Sequence, residues 1–186
     1  MTELAQLLAI AAFIALALAF AVFVRRAGRF VAQTREIETF RRTAADLAAR
    51  VDTSLDGVAG RIDGVRRRTL SAQDITENIA AATDAVARYT AEARNLPGPP
   101  AAAEIREALI NELDRAARAL QMVEHGCTIL TSARIGGREL EAQTAIKRGY
   151  LNVLHAREAI RRYAARAASV GIAGQRQPRL FERRNA

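Results

Sequence analysis

The chain of 186 residues has no tryptophan, one cysteine (Cys127), one lysine (Lys147) and two histidines (His125 and His155). A lone cysteine excludes an internal disulfide framework and any site built from several thiolates. His125, Cys127 and His155 are then the only candidates for a zinc centre or a nucleophile–base pair, and a zinc site needs three or four convergent ligands. If the chain turns back at Gly136 and Gly137, His155 faces Arg118 and His125 faces Arg148. The two histidines then stand roughly 10 Å apart along the axis, and Cys127 falls on an apolar seam. No Glu-x-x-His occurs, which removes the di-metal carboxylate bundle. Walker and Gly-x-Gly-x-x-Gly loops are also missing. The Asp-Gly pairs at 56–57 and 63–64 lack the alternating acidic ligands of a calcium loop. Glu104 with Glu107, and Glu139 with Glu141, alternate with arginines three or four residues away, as on a solvated helix face. These absences lead to a non-enzymatic reading with no cofactor and no metal.

Proline is nearly missing as well. Of the four, Pro97, Pro99 and Pro100 fall together and Pro178 lies near the end, so nothing interrupts a helix before residue 97. Aromatic and β-branched residues are sparse, while alanine and arginine, both strong helix formers, abound. An all-α chain is expected.

The longest feature present is an apolar run over residues 4–24, uncharged, with Gln6 its one polar residue. A helix of that length spans roughly 30 Å, the hydrocarbon thickness of a bilayer. Arg25, Arg26 and Arg29 follow it at once, which marks the cytoplasmic side. No basic residue precedes the run, so it reads as an anchor rather than a cleaved signal peptide. The expectation is a single-pass protein of the plasma membrane, N-terminus outside. Residues 1–29 form the anchor with its basic flank, and the lipid bilayer and its anionic head groups are the nearest partners.

Beyond the anchor the period is helical. Phe30, Ile37, Phe40, Ala44, Leu47, Val51, Leu55, Val58, Ile62 and Val65 make a heptad seam, expected as a juxtamembrane stalk over 30–68. Gly57, Gly60 and Gly64 form a second stripe, where another helix approaches closely or the helix loosens into a joint. Ser71 with Asp74 reads as a capping box for a second helix, with Ile75, Ile79, Ala82, Val86, Tyr89, Ala93 and Leu96 inward. A third helix starts near Pro100 with a seam from Ile105 to Leu130 that Gly126 interrupts. A fourth runs from about Arg138 to Ala168 with Leu140, Ile146, Tyr150, Val153, Leu154, Ile160 and Ala164 inward. Residues 69–170 are thus expected to fold as a cytoplasmic antiparallel bundle or coiled coil, about four helices in all with the stalk. Small seam residues leave thin cores, which opens a route to homo-oligomers.

The formal charge of +8 gathers after the anchor and near the C-terminus. Residues 171–186 form a basic, aperiodic tail containing Gln177, Pro178, Arg179, Leu180 and Phe181, followed by Arg183 and Arg184. The peptide 177–181 resembles the Gln-x-x-Leu-Phe peptides by which bacterial replication and repair proteins dock on the sliding clamp. That resemblance implies Leu180 and Phe181 filling an apolar pocket, and it carries the alternative of a nucleic-acid- or replication-linked adaptor. No nucleic-acid-binding motif accompanies the charge, so nucleic acid ranks below lipid and protein as its partner. The leading expectation is a membrane-tethered helical scaffold, or a subunit of a membrane-associated complex, that binds another protein or itself; the partner is not named by the sequence.

Overall fold

The computed structural model describes the backbone of residues 2–132 and 137–170, and within those ranges the side chains of 16–26, 28 and 32 onward. Four α-helices and two single turns of 3-10 helix account for the regular structure of these residues, and they contain no strand. The helices are α1 (Thr2–Arg66), α2 (Thr76–Arg94), α3 (Ala103–Thr131) and α4 (Glu139–Ala168). Each of α1 and α3 packs on both α2 and α4, so α2 and α4 occupy opposite corners of an up-and-down bundle.

The seams explain this arrangement. Phe40, Ala44, Leu47, Val51, Leu55 and Ile62 of α1 are almost completely buried, as are Ile79 and Val86 of α2 and Leu109, Leu113 and Leu120 of α3. Each fully buried leucine or isoleucine contributes about 1.5–3 kcal/mol. From residue 40 to 65, α1 is therefore one wall of the bundle. Its earlier part projects clear: residues 32–36 are exposed, and the sixteen steps from Val24 to Phe40 rise about 24 Å.

α1 continues without a break through Gly57 and Gly60, and a Cβ at either would meet nothing within 4 Å. Neither a close helix approach nor a joint exists there. Gly64 differs, because the chain turns back over it. Arg68 takes a positive φ of 62°, Thr69 and Leu70 both donate to the Gly64 carbonyl (2.8 and 3.2 Å), and the Leu70 side chain covers the glycine. The expected capping box then forms: the Ser71 amide donates to Asp74 Oδ2 (3.0 Å) and the Asp74 amide to Ser71 Oγ (3.3 Å). That pairing holds the Asp74 carboxyl below its ordinary range. Residues 97–100 end the second helix as expected. There Gly98 packs against the buried Phe40 side chain, where a Cβ would be 2.7 Å from Phe40 Cδ2.

α3 and α4 make the closest contact. At Gly149 a Cβ would come within 2.8 Å of the Ala119 carbonyl oxygen, and at Gly126 within 2.8 Å of that of Ala142. Glycine lets the two backbones touch. Leu140 corrects an expectation: it is 76% exposed. The inward positions of α4 run through Ala142, Ile146, Gly149, Val153, Ala156 and Ile160, and Leu140 falls about 200° around the helix from Ala142.

Candidate interaction surfaces

Polar ties fix the bundle's register. Arg157 Nε reaches Asp52 Oδ1 at 2.5 Å and its Nη1 reaches Asp56 Oδ1 at 2.5 Å, while Arg161 Nη2 donates to Asp52 Oδ2 at 2.8 Å. These hydrogen bonds, led by the one from Arg157, hold the Asp52 carboxyl down at about 2. At one end Arg41 Nε donates to the Val170 carbonyl at 3.1 Å, and its Nη2 binds the same oxygen, placing a cation on the C-terminal end of α4. Between α1 and α2, the Ser54 and Tyr89 hydroxyls share a 3.0 Å hydrogen bond and Arg50 pairs with Glu92.

The metal and nucleophile candidates do not converge. Cys127 is buried on the α3 seam, and burial, with Glu124 nearby, pushes its thiol up to about 11. A thiol so raised is a poor nucleophile at neutral pH. His125 points outward beside Glu141, 3.9 Å away, and His155 is exposed on α4. Among the described residues no group of three or more His, Cys, Asp or Glu could hold a metal ion.

At the end of the bundle away from Arg41 lies an open groove of about 880 Å³ between the α1–α2 connection and the start of α4. Its charged walls are largely tied up. Arg68 binds Glu139 at 3.1 Å, and Arg66 binds Asp63 and stacks on Tyr150.

Among the described residues, two surfaces stand out for their exposed side chains. The first is the projecting part of α1, where Leu16, Leu18, Phe20, Val22 and Phe23 are 63–71% exposed and pass directly into exposed Arg25 and Arg26. Among the described residues no helix is long and apolar enough to cross a membrane. Residues 1–15, the first part of the run, have side chains outside the described set, as does Arg29. The second surface is the pair of outer faces of α2 and α4, which periodicity shows only as the side opposite each seam. On these, Glu77, Asp84, Arg88, Arg148 and His155 carry no hydrogen bond or ion pair among the described residues, and Leu151 is 43% exposed. The tail candidates Gln177, Leu180, Phe181, Arg183 and Arg184 lie outside the described residues.

No known protein family matches the chain, and no characterised protein or solved structure is significantly similar to it.

Proposed function

We propose that this protein is a non-enzymatic scaffold, tethered to the plasma membrane by its N-terminal apolar segment, whose cytoplasmic bundle carries protein–protein contacts close to the inner leaflet. The observation that carries the reading is the uncovered apolar surface of α1. Leu16, Phe20 and Phe23 are largely exposed and, among the described residues, meet no other helix. Burying such side chains contributes about 1.5–3 kcal/mol each, and the sequence supplies a full bilayer's length of them over residues 4–24. Arg25 and Arg26 stand where an anionic leaflet would meet them, at about 1 kcal/mol per charge. The same helix runs on unbroken into the bundle, so an anchor in its first part would be joined to the bundle without a loop between them.

Two measurements test this. The full chain should float with vesicles of neutral lipid and resist extraction at alkaline pH. A reporter that works only outside the cytoplasm should stay silent when fused after Ala186. Extraction into the soluble fraction removes the tether, and an active reporter reverses the orientation. Duplex DNA held at 200 mM salt by a chain that ignores anionic vesicles would replace lipid with nucleic acid, since nonspecific phosphate contacts lose about 10³–10⁵ in affinity between about 50 and 200 mM.

A further inference from the structure

α3 and α4 run antiparallel, and their outward edges meet in rungs. At one rung His125 stands 3.9 Å from Glu141. Seven residues make close to two turns, so stepping back seven along α3 and on seven along α4 returns to the same edge. That step sets Arg118 opposite Arg148. The close approach of Gly149 to the Ala119 carbonyl, at the next residue of each helix, fixes the same alignment independently. Two like charges thus face each other where the neighbouring rung sets a histidine against a carboxylate.

Nothing in the bundle compensates them. Arg118 and Arg148 are exposed, and neither has a hydrogen bond or ion pair among the described residues. Three and four places from Arg148 stand Thr144, Ala145, Leu151 and Asn152, none of them acidic. Around Arg118 the one acid at such a spacing is Asp114, and it turns to Arg94 at 3.9 Å. A third arginine, Arg115, lies one turn before Arg118 and keeps Glu112 at 3.6 Å. A like-charge rung is a local cost, and such costs collect at functional positions. An anion between two guanidinium forks converts the repulsion into a pair of charge-assisted contacts.

The surroundings decide which anion. Glu141 lies two turns to one side and Glu107 and Glu158 about three turns to the other, leaving roughly 25 Å between carboxylates. One turn of duplex is about 34 Å long, so nucleic acid laid along the crevice would cross those acids. The bilayer is too far away. Arg157 binds Asp52 and Asp56 of α1 and Tyr150 lies under Arg66, so Arg148 stands level with about Asp63. From Val24 that is a rise of about 58 Å along α1, against a screening length of about 8 Å at physiological salt. Leu151, one turn beyond Arg148 and 43% exposed, adds an apolar contact that a peptide side chain can use.

We infer that the crevice between α3 and α4 takes an acidic segment of a partner protein, its carboxylates on Arg118 and Arg148. This names the chemistry of the scaffold's partner, and it rests on the tether proposed above only for the exclusion of the leaflet.

The test uses the full chain in a neutral detergent, with labelled deca-glutamate and a labelled decanucleotide of single-stranded DNA as probes. Deca-glutamate should bind at about 50 mM salt and bind about tenfold or more weakly to Arg118→Glu and to Arg148→Glu. Arg88→Glu, which makes the same change of net charge on α2, should stay within about twofold of the parent. In thermal melts each single reversal should stand about 1–3 °C above both the parent and the doubly reversed chain, because only a single reversal makes the rung opposite in charge. That result also shows the variants folded. Absence of deca-glutamate binding, parent-like binding by Arg148→Glu, or an equal loss in Arg88→Glu overturns the inference. So do single variants that melt no higher than the doubly reversed one, which would deny that the arginines face each other. Tighter binding of the decanucleotide would hand the crevice to nucleic acid. A chain that floats with vesicles yet ignores deca-glutamate keeps the tether and loses this site. One that binds deca-glutamate without floating loses the tether and keeps it.

Discussion

Replacing Gly149 with alanine adds one methyl group where α4 crosses α3. The new Cβ would lie 2.5 Å from Val123 Cγ2, 2.8 Å from the Ala119 carbonyl oxygen and 3.2 Å from the Val123 amide nitrogen. Valine could rotate; the backbone atoms cannot, so the two helices must separate. Overpacking of this kind costs about 1–3 kcal/mol, and rigid neighbours place Gly149 near the upper end. Alanine returns about 1 kcal/mol through its better helix propensity. The net loss is about 2 kcal/mol, or a fall in Tm of about 4–8 °C for a chain of this size. Gly57→Ala is the matched control. It gains the same propensity, and its Cβ meets nothing within 4 Å, so Tm should rise by about 2–4 °C. Both are read by thermal circular dichroism of the full chain. A Gly149→Ala protein that melts with, or above, the parent would refute the claim that the α3 and α4 backbones touch.

Asp52→Asn should lower stability at pH 7 by about 1–2 kcal/mol, the linkage value reduced for partial screening, because the carboxylate binds Arg157 and Arg161. With the folded carboxyl held at about 2, that contribution is complete above the ordinary value of about 4 and drains as the pH falls through 2. Denaturant melts should therefore show the gap between parent and variant narrowing from pH 4 downward; a constant gap would remove the ion-pair explanation. Cys127, with its thiol pushed to about 11, should resist thiol reagents at pH 8 in the folded chain and react fully in denaturant. Rapid labelling under native conditions would place it outside the core.

The seams of α2 and α3 were readable from spacing because a buried stripe is a local property: Ile79, Val86, Leu109 and Leu113 announce themselves three and four residues apart. The capping box and the stop at 97–100 were readable for the same reason. What escaped depends on pairing. A glycine in a helix lowers local stability whatever faces it, so Gly126 and Gly57 look alike until Ala142 is found against one and open space beside the other. The clasp of Asp52 and Arg157 joins residues over a hundred positions apart, and no periodicity couples them. Leu140 is apolar enough to suggest an inward position, but its angle on α4 sets it outside. Of the interaction surfaces, the apolar run and its arginines were plain in the sequence.

The bond from Arg41 to the Val170 carbonyl has a consequence for how the chain can be extended. α1 becomes part of the bundle at Phe40, and Val170, the last described residue, is bound by Arg41 just beside it, so the projecting arm of α1 and the end of the described chain lie at the same end of the bundle. The opposite end, where the chain passes from α1 to α2, stands about 35 Å away, the rise of α1 from Arg41 to Gly64. A fluorescent domain joined directly after Val170, in place of residues 171–186, would start beside the projecting arm of α1. The same domain inserted beside Gly137 would be carried to the far end of the bundle. Two such fusions would make the bundle a ruler whose two marks report, by their difference in distance from a labelled membrane, which end of the molecule the bilayer lies against.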